Sequence, residues 1–360
     1  LSKIVSIGTA VPEYRHEQQK IFEFMSRAYA LNETEKRKLK FIYRHSGIET
    51  RYSTLPDYSL PTQEWQFFPP TENLEPFPSI EKRMEGFHKH AAPLSLKAID
   101  DCLKDLPDKK ITHLITVSCT GMSAPGLDLE LMELLNLPSN TWRTSINFMG
   151  CYAAIHALKL ADMICKSDTK ANVLIVCIEL CTLHFQNKYS PDNISSDILF
   201  GDGAAAILVT GNNETNGMNI DHFYSAVSFK SKQEMVWEMS STGFLLTLSG
   251  YIPDLIEEDF DNLVSRALNE TGLTKEDITH WCIHPGGKKI LEAVHNSLQF
   301  TNGQLQHCYD VLNEYGNMSS PTVLFVLKRI RETLNKDQRN NIFGAAFGPG
   351  LTIETFILSA

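Results

Sequence analysis

Short runs rich in Val, Ile, Leu and Ala alternate along the chain with longer stretches whose apolar residues return every three or four positions. The short runs predict strands over 3–9, 113–118, 172–179, 204–210, 281–284 and 353–358. The helical periodicity predicts helices over 79–106, 128–135, 152–165, 256–270, 288–297 and 321–334. Strands alternating with helices of this length argue for an α/β architecture. The turn-rich TGNNETNGMN at 210–219 reads as a link and divides the chain into halves 1–212 and 213–360. The Pro- and aromatic-rich segment 61–78 reads as a long surface loop.

The pattern repeats. ITHLITVSCTG begins at Ile111 and ITHWCIHPGG at Ile278, an offset of 167 residues, and each precedes a helical run. Further on, Gly150-Cys151 opens CYAAIHALKLADMI, as Gly316-Asn317 opens NMSSPTVLFVLKRI. A duplicated α/β unit explains the ordered series at once. It makes Cys151 and Asn317 counterparts, each at the start of a buried helix. It sets His284 at a strand end before a Pro-Gly-Gly turn, where α/β folds place their sites.

Composition narrows the function. A net charge of -10 argues against nucleic-acid binding, since phosphates would be repelled. No apolar run is long enough to cross a bilayer, and LSKIVSIGTAVPEYR lacks the features of a signal peptide. Eight cysteines are too few for a disulfide scaffold, and no CxxC pair suggests zinc. His16, His88, His90, His222 and His295 have no acidic or Cys partner at metal-ligand spacing. A cytoplasmic protein with reduced thiols and no metal is expected.

A free thiol is only a few per cent ionised at neutral pH. A helix start helps by about one pKa unit, and an imidazole is the usual second contributor. Cys151 with His284 would make a competent nucleophile, and Asn317 could donate hydrogen bonds to an oxyanion. Each has a plainer reading: a buried thiol, a turn histidine, a helix cap. Together they suit acyl transfer to sulfur followed by carbon–carbon bond formation through an enolate.

At these residues the sequence resembles the thiolase superfamily, and specifically type III polyketide synthases of the chalcone synthase-like class. FMGCYAA around Cys151, LFGDGAAA at 199–206, IHPGGKKIL at 283–291, YGNMSSPTVLFVL at 315–327 and FGPGLTIET at 347–355 carry the likeness. The resemblance implies a thiolase-like, duplicated αβαβα fold with two pseudo-symmetric halves, assembled as a homodimer. It implies acyl-CoA loading on Cys151, partnered by His284 and Asn317, and extension with malonyl-CoA, with no bound metal or redox cofactor. Phe200 would stand at the mouth of the site. Leu246 falls where the family has a second gating Phe, with Phe244 two residues earlier.

Cavity-lining positions by the same likeness are Cys119, Thr120, Ala124, Cys181, His184, Trp237 and Ser319. Small side chains at 120, 124 and 181 resemble a bacterial branch whose floor opens into an apolar tunnel for long acyl chains, of the alkylpyrone or alkylresorcinol synthase kind. Trp237 works against such a tunnel. CoA contacts would come from Lys38, Arg44 and Lys288, because Phe41 and His45 occupy two positions where plant members carry basic side chains. The product would be a pyrone, resorcinol or phloroglucinol. Two other readings stay open at this point, a priming ketoacyl-ACP synthase that stops after one condensation and a non-catalytic acyl-binding protein.

Overall fold

The computed structural model describes residues 2–71, 73–107, 109–301, 303–335 and 337–360. The chain opens with β1 (Lys3–Ala10), β2 (Tyr14–Glu17), α1 (Gln18–Ala28), α2 (Glu33–His45), β3 (Thr50–Ser53) and α3 (Ile80–Leu103). Next come β4 (His113–Ser118), α4 (Leu127–Leu134), β5 (Trp142–Asn147), α5 (Ala153–Ser167), β6 (Asn172–Leu180), α6 (Pro191–Leu199) and β7 (Asp202–Thr210). After the link follow β8 (Met218–Val227), β9 (Met235–Ser240), β10 (Gly243–Leu248), α7 (Ile252–Asn269), β11 (His280–Ile283) and α8 (Lys288–Ser297). The chain closes with α9 (Gln306–Tyr315), α10 (Thr322–Thr333), β12 (Asn341–Gly348) and β13 (Thr352–Ser359).

Among the described residues one nine-stranded sheet runs in the order β11-β12-β13-β8-β1-β7-β6-β4-β5. From its centre the two sides read alike. On one, β1–β7 and β7–β6 are antiparallel and β6–β4 parallel. On the other, β8–β13 and β13–β12 are antiparallel and β12–β11 parallel. In the sheet the two sides join where Lys3 faces Asn219 and Ile4 faces Met218.

Two helices are sandwiched between the sides. α5 packs on β6, β4 and β7 and also on β13, while α10 packs on β11 and on β1 and β7. Their compositions suit that place. Ala153, Ala154, Ala157 and Ala161 let sheet approach α5 closely, and Val323 to Leu327 are buried without a break. With α3 outside the first half-sheet and α7 and α8 beside the second, the layers are αβαβα. Strands covered on both faces read as unbroken apolar runs, as β6 and β7 do.

Several elements lacked a legible pattern. β5 is WRTSIN, mostly polar and exposed, and the hairpin β9–β10 alternates too weakly to stand out. α1, α2, α6 and α9 were also unpredicted. The described residues of the segment 61–78 form a loop with one short turn at Thr62–Glu64, but its aromatics are buried or half-buried. Phe67 and Phe68 are buried, and Phe68 packs against Phe24, Tyr58 and Phe185. Those rings were the reason to expect burial there, and the density of prolines masked it.

Candidate active site

The turn between β5 and α5 is tightly specified. Phe148 and Gly150 take φ of 57° and 84°, and the Gly150 N–H donates to Cys119 Sγ at 3.0 Å. A Cβ on Gly150 would lie 2.2 Å from Pro349 Cδ, and one on Gly348 would lie 2.5 Å from a ring carbon of Tyr152. The FGPG turn between β12 and β13 therefore presses directly on the turn that carries Cys151. The thiol sits two residues before the first residue of α5, with the helix starting one residue later than expected. Of the eight cysteines, Cys151 alone is not buried.

His284 follows β11 and is buried, its backbone N–H donating to Ala345 O at 2.8 Å. Neither ring nitrogen has a hydrogen-bond partner. Asn317 lies between α9 and α10 in a two-rung bridge beside Phe200. Its N–H donates to Leu199 O at 2.8 Å, and its carbonyl accepts from Gly201 N–H at 3.0 Å. The Asn317 Oδ1 accepts from Ser319 N–H at 2.8 Å, and Nδ2 donates to Gly286 O at 3.3 Å. A carboxamide has two N–H bonds, and the second meets the Cys151 sulfur, where it favours the thiolate.

Cys151, His284, Asn317, Phe200 and Ser319 line a single cavity of about 710 Å3. Burial pushes the Cys151 thiol up to about 11, against the hydrogen-bonding side chains of Ser319 and Asn317. Burial also pulls His284 down to about 3. At neutral pH the two thus rest as neutral thiol and neutral imidazole. The helix start does not deliver the lowered thiol pKa anticipated, because the about one unit it offers is outweighed by desolvation.

The counterpart assignment of the repeat also changes. Gly150 accepts from Ala153 N–H as Ser319 accepts from Thr322 N–H, and Gly150 and Ser319 both have positive φ. In this helix register Cys151 faces Ser320, and Asn317 faces Phe148. The GC/GN pairing therefore misaligned the two turns by three residues.

Cys119, Thr120, Cys181, His184, Trp237, Leu246 and Lys288 also line the cavity. Ala124 does not. It lies on an exposed loop after β4, since the chain turns outward at Gly121 and leaves no wall position there. Lys38 and Arg44 are exposed on α2, outside the cavity wall. The floor is not simply small. His184 stacks on Phe244 at 4.2 Å and 9°, and Trp237 meets both rings edge-on. The His184 Nδ1 accepts from Phe244 N–H, so Nε2 donates to Thr120 O at 2.7 Å. Trp237 Nε1 donates to Cys119 O at 2.8 Å. Elsewhere the cavity is walled by Ile21 and Met25 of α1 and Ile194 and Ile198 of α6.

One residue near the site went unnoticed. Glu179, the last residue but one of β6, is fully buried, accepting from Cys119 N–H at 2.9 Å, Thr120 Oγ1 at 2.8 Å and Ser320 Oγ at 2.7 Å. Burial pushes its carboxyl up to about 7 despite those bonds. A lone acid closing the apolar run NVLIVCIEL was the available signal. Among the described residues no group of three or more His, Cys, Asp or Glu is arranged to hold a metal, and no helix is long and apolar enough to cross a membrane.

Comparisons with known proteins agree with this geometry. The family model "Chalcone and stilbene synthases, N-terminal domain" matches residues 1–213, and the corresponding C-terminal domain model matches 225–360. A putative chalcone synthase of Bacillus subtilis is 29% identical over 99% of this chain and 98% of its own length. Probable polyketide synthase 1 of Dictyostelium discoideum is 31% identical over 98% of this chain, which spans only 11% of that protein. Among solved structures, PKS-I of the brown alga Ectocarpus siliculosus superposes with a TM-score of 0.92 at 28% identity, covering 99% of this chain and 97% of that one. The C-terminal type III polyketide synthase domain of Steely1 from Dictyostelium, a type I/III hybrid, gives 0.90 at 29% identity, covering 99% and 98%.

Proposed function

The chain belongs to the chalcone and stilbene synthase family, the type III polyketide synthases with their thiolase-like fold, and from that premise we propose the reaction it runs. An acyl-CoA starter loads on Cys151, and malonyl-CoA extends it by decarboxylative condensation until the product closes to a pyrone, resorcinol or phloroglucinol-type ring. One observation carries the reading. The single accessible thiol shares a cavity with a histidine whose two ring nitrogens are both unengaged and with a carboxamide that hydrogen-bonds the sulfur.

The chemistry follows from the resting state. As Cys151 sulfur attacks the thioester carbonyl, His284 takes the thiol proton. The carbonyl–sulfur bond to CoA breaks, and the departing CoA thiolate takes that proton away. Malonyl-CoA then loses carbon dioxide, and the bonding electrons become an enolate. The His284 N–H and the Asn317 N–H that met the sulfur before acylation donate to its oxygen, a stabilisation of about 2.7–4 kcal/mol per donor. The enolate carbon attacks the acyl group on Cys151 and expels the thiolate, giving a chain two carbons longer on CoA. Reloading repeats the cycle, and no bound metal or redox cofactor enters it.

The aliphatic wall of Ile21, Met25, Ile194 and Ile198 supports a medium- or long-chain starter, since each buried methylene contributes about 0.8 kcal/mol. Phe200, bridged to Asn317, and Leu246 gate the approach, and Lys288 at the rim meets the CoA phosphates. We place the division between the halves at 212/213. A second copy pairs along β5, one of the two edge strands of the sheet, where Trp142 is 75% exposed. Eight unpaired cysteines support a cytoplasmic location.

The test is incubation with labelled malonyl-CoA and acyl-CoAs of graded length, followed by mass spectrometry of enzyme and products. Ring products with an acyl adduct on Cys151, absent in Cys151→Ala, are expected. A single extension without ring closure would indicate a priming synthase, and no adduct would sink the acyl-transfer reading.

A further inference from the structure

The mouth of the cavity carries a feature that the acyl-transfer chemistry does not use. α2 is anchored by Leu39 and Tyr43, its only buried side chains, and begins in a capping box between Asn32 and Glu35. Its opposite face presents Phe41 at 64% and Ile42 at 43% exposure, and both line the cavity at its open end. Phe41 is not a stray surface apolar group. The His45 ring lies 4.1 Å from it, centroid to centroid, at 31°. The His45 Nδ1 is held 2.7 Å from the Phe41 carbonyl oxygen, which keeps the imidazole over one face of the phenyl ring. The other face is free. Two residues on, Gly47 approaches the stem of Lys288, where a Cβ would lie 3.3 Å from Cδ. The end of α2 and the start of α8 therefore form one rim, and Lys288 and Lys289 share it with the ring pair.

We propose that the Phe41–His45 pair is a stacking platform for the adenine of a CoA thioester, with Lys288 and Lys289 meeting its phosphates. The proposal rests on the reading of the chain as a CoA-thioester-consuming enzyme. A flat, rigid, half-covered aromatic at the entrance of a cavity that ends at a thiol suits a ligand with a thioester at one end and a purine at the other. Every base has a π-face, so one pre-ordered ring pair binds it without directional hydrogen bonds. Exposed Arg37, Lys38 and Arg44 give α2 a positive surround on a chain of net charge -10, which favours a nucleotide over a neutral occupant.

The experiment compares one acyl group carried on CoA and on pantetheine, which lacks the nucleotide. Phe41→Ala is expected to raise KM for the acyl-CoA about 10-fold with kcat unchanged, while KM for the acyl-pantetheine moves less than about twofold. His45→Ala gives a smaller change of the same pattern, and Phe41→Trp restores or tightens CoA binding. Adenosine 3′,5′-bisphosphate competes with acyl-CoA in the unmodified chain and more weakly in Phe41→Ala. Equal changes for both thioesters, or none, overturn the platform while leaving acyl transfer intact. So does a Phe41→Ala defect confined to acyl groups delivered on a carrier protein. If neither thioester acylates Cys151 in the unmodified chain, the acyl-transfer reading and the platform both fail.

Discussion

Two turns face each other across the centre of this molecule, 148–153 and 317–322. Each leads from one side of the fold into a sandwiched helix, and each holds a positive φ three residues before that helix, at Gly150 and at Ser319. Their surroundings differ. The first is pinned from the opposite half by Pro349 and leaves its sulfur open to the cavity. The second is pinned by Ser320 on Glu179 and turns Asn317 toward the same cavity from further upstream. Duplication thus supplied two similar backbones, and a shift along one of them separated a nucleophile from a hydrogen-bond donor. A strict pair of equivalents would have placed Ser320, already engaged with Glu179, opposite the thiol.

The largest break in that comparison comes from removing the donor alone. Asn317→Ala should leave acylation of Cys151 from acyl-CoA near its original rate. It should slow malonyl-CoA decarboxylation about 10²–10³-fold, the range for loss of one oxyanion donor. Carbon dioxide release and intact-protein mass read the two steps separately. If loading falls as far as decarboxylation, the two turns do one job and the division fails.

The backbones can be exchanged next. Gly150→Ser puts a Cβ into Pro349 and a non-glycine at φ 84°, where overpacking alone costs about 1–3 kcal/mol. Ser319→Gly relieves a positive φ of 58° but makes the unfolded chain more flexible, so its stability should stay within about 1 kcal/mol of the original. Denaturant midpoints measure both. Similar losses would mean that the contact with Pro349 is not what demands glycine at 150.

The sequence made the frame of this comparison visible and hid its details. The α8 boundaries and the sandwiched pair α5 and α10 were legible because buried helices are apolar over several turns. β5 was not, because an edge strand with WRTSIN has no covered face to impose a pattern. Cys151, His284 and Asn317 stood out through motif residues, yet the register between Cys151 and Asn317 was misjudged. GC and GN look equivalent only until the hydrogen bonds of Ala153 and Thr322 show where each helix begins. Glu179 and the His184–Phe244 stack depend on long-range contacts, and no local spacing encodes those.

The smallest effect probes the acid that joins the two turns. Glu179 titrates at about 7 in the folded chain, against about 4.3 when unfolded. Below the lower value both states hold the proton. Between the two only the native state does, so this group's contribution to stability falls as pH rises through that window and then levels off. Glu179→Gln keeps an acceptor for its partners and a neutral side chain at every pH, so the decline from pH 4.3 to about 7 should flatten. The same charge raises the Cys151 thiol pKa, after burial. Its removal should therefore move the pH profile of Cys151 alkylation by iodoacetamide to lower pH, with a rate gain of less than about tenfold at fixed pH. An unmoved profile would mean that Glu179 braces the turns without acting on the sulfur, leaving the thiol to be set by burial, Ser319 and Asn317 alone.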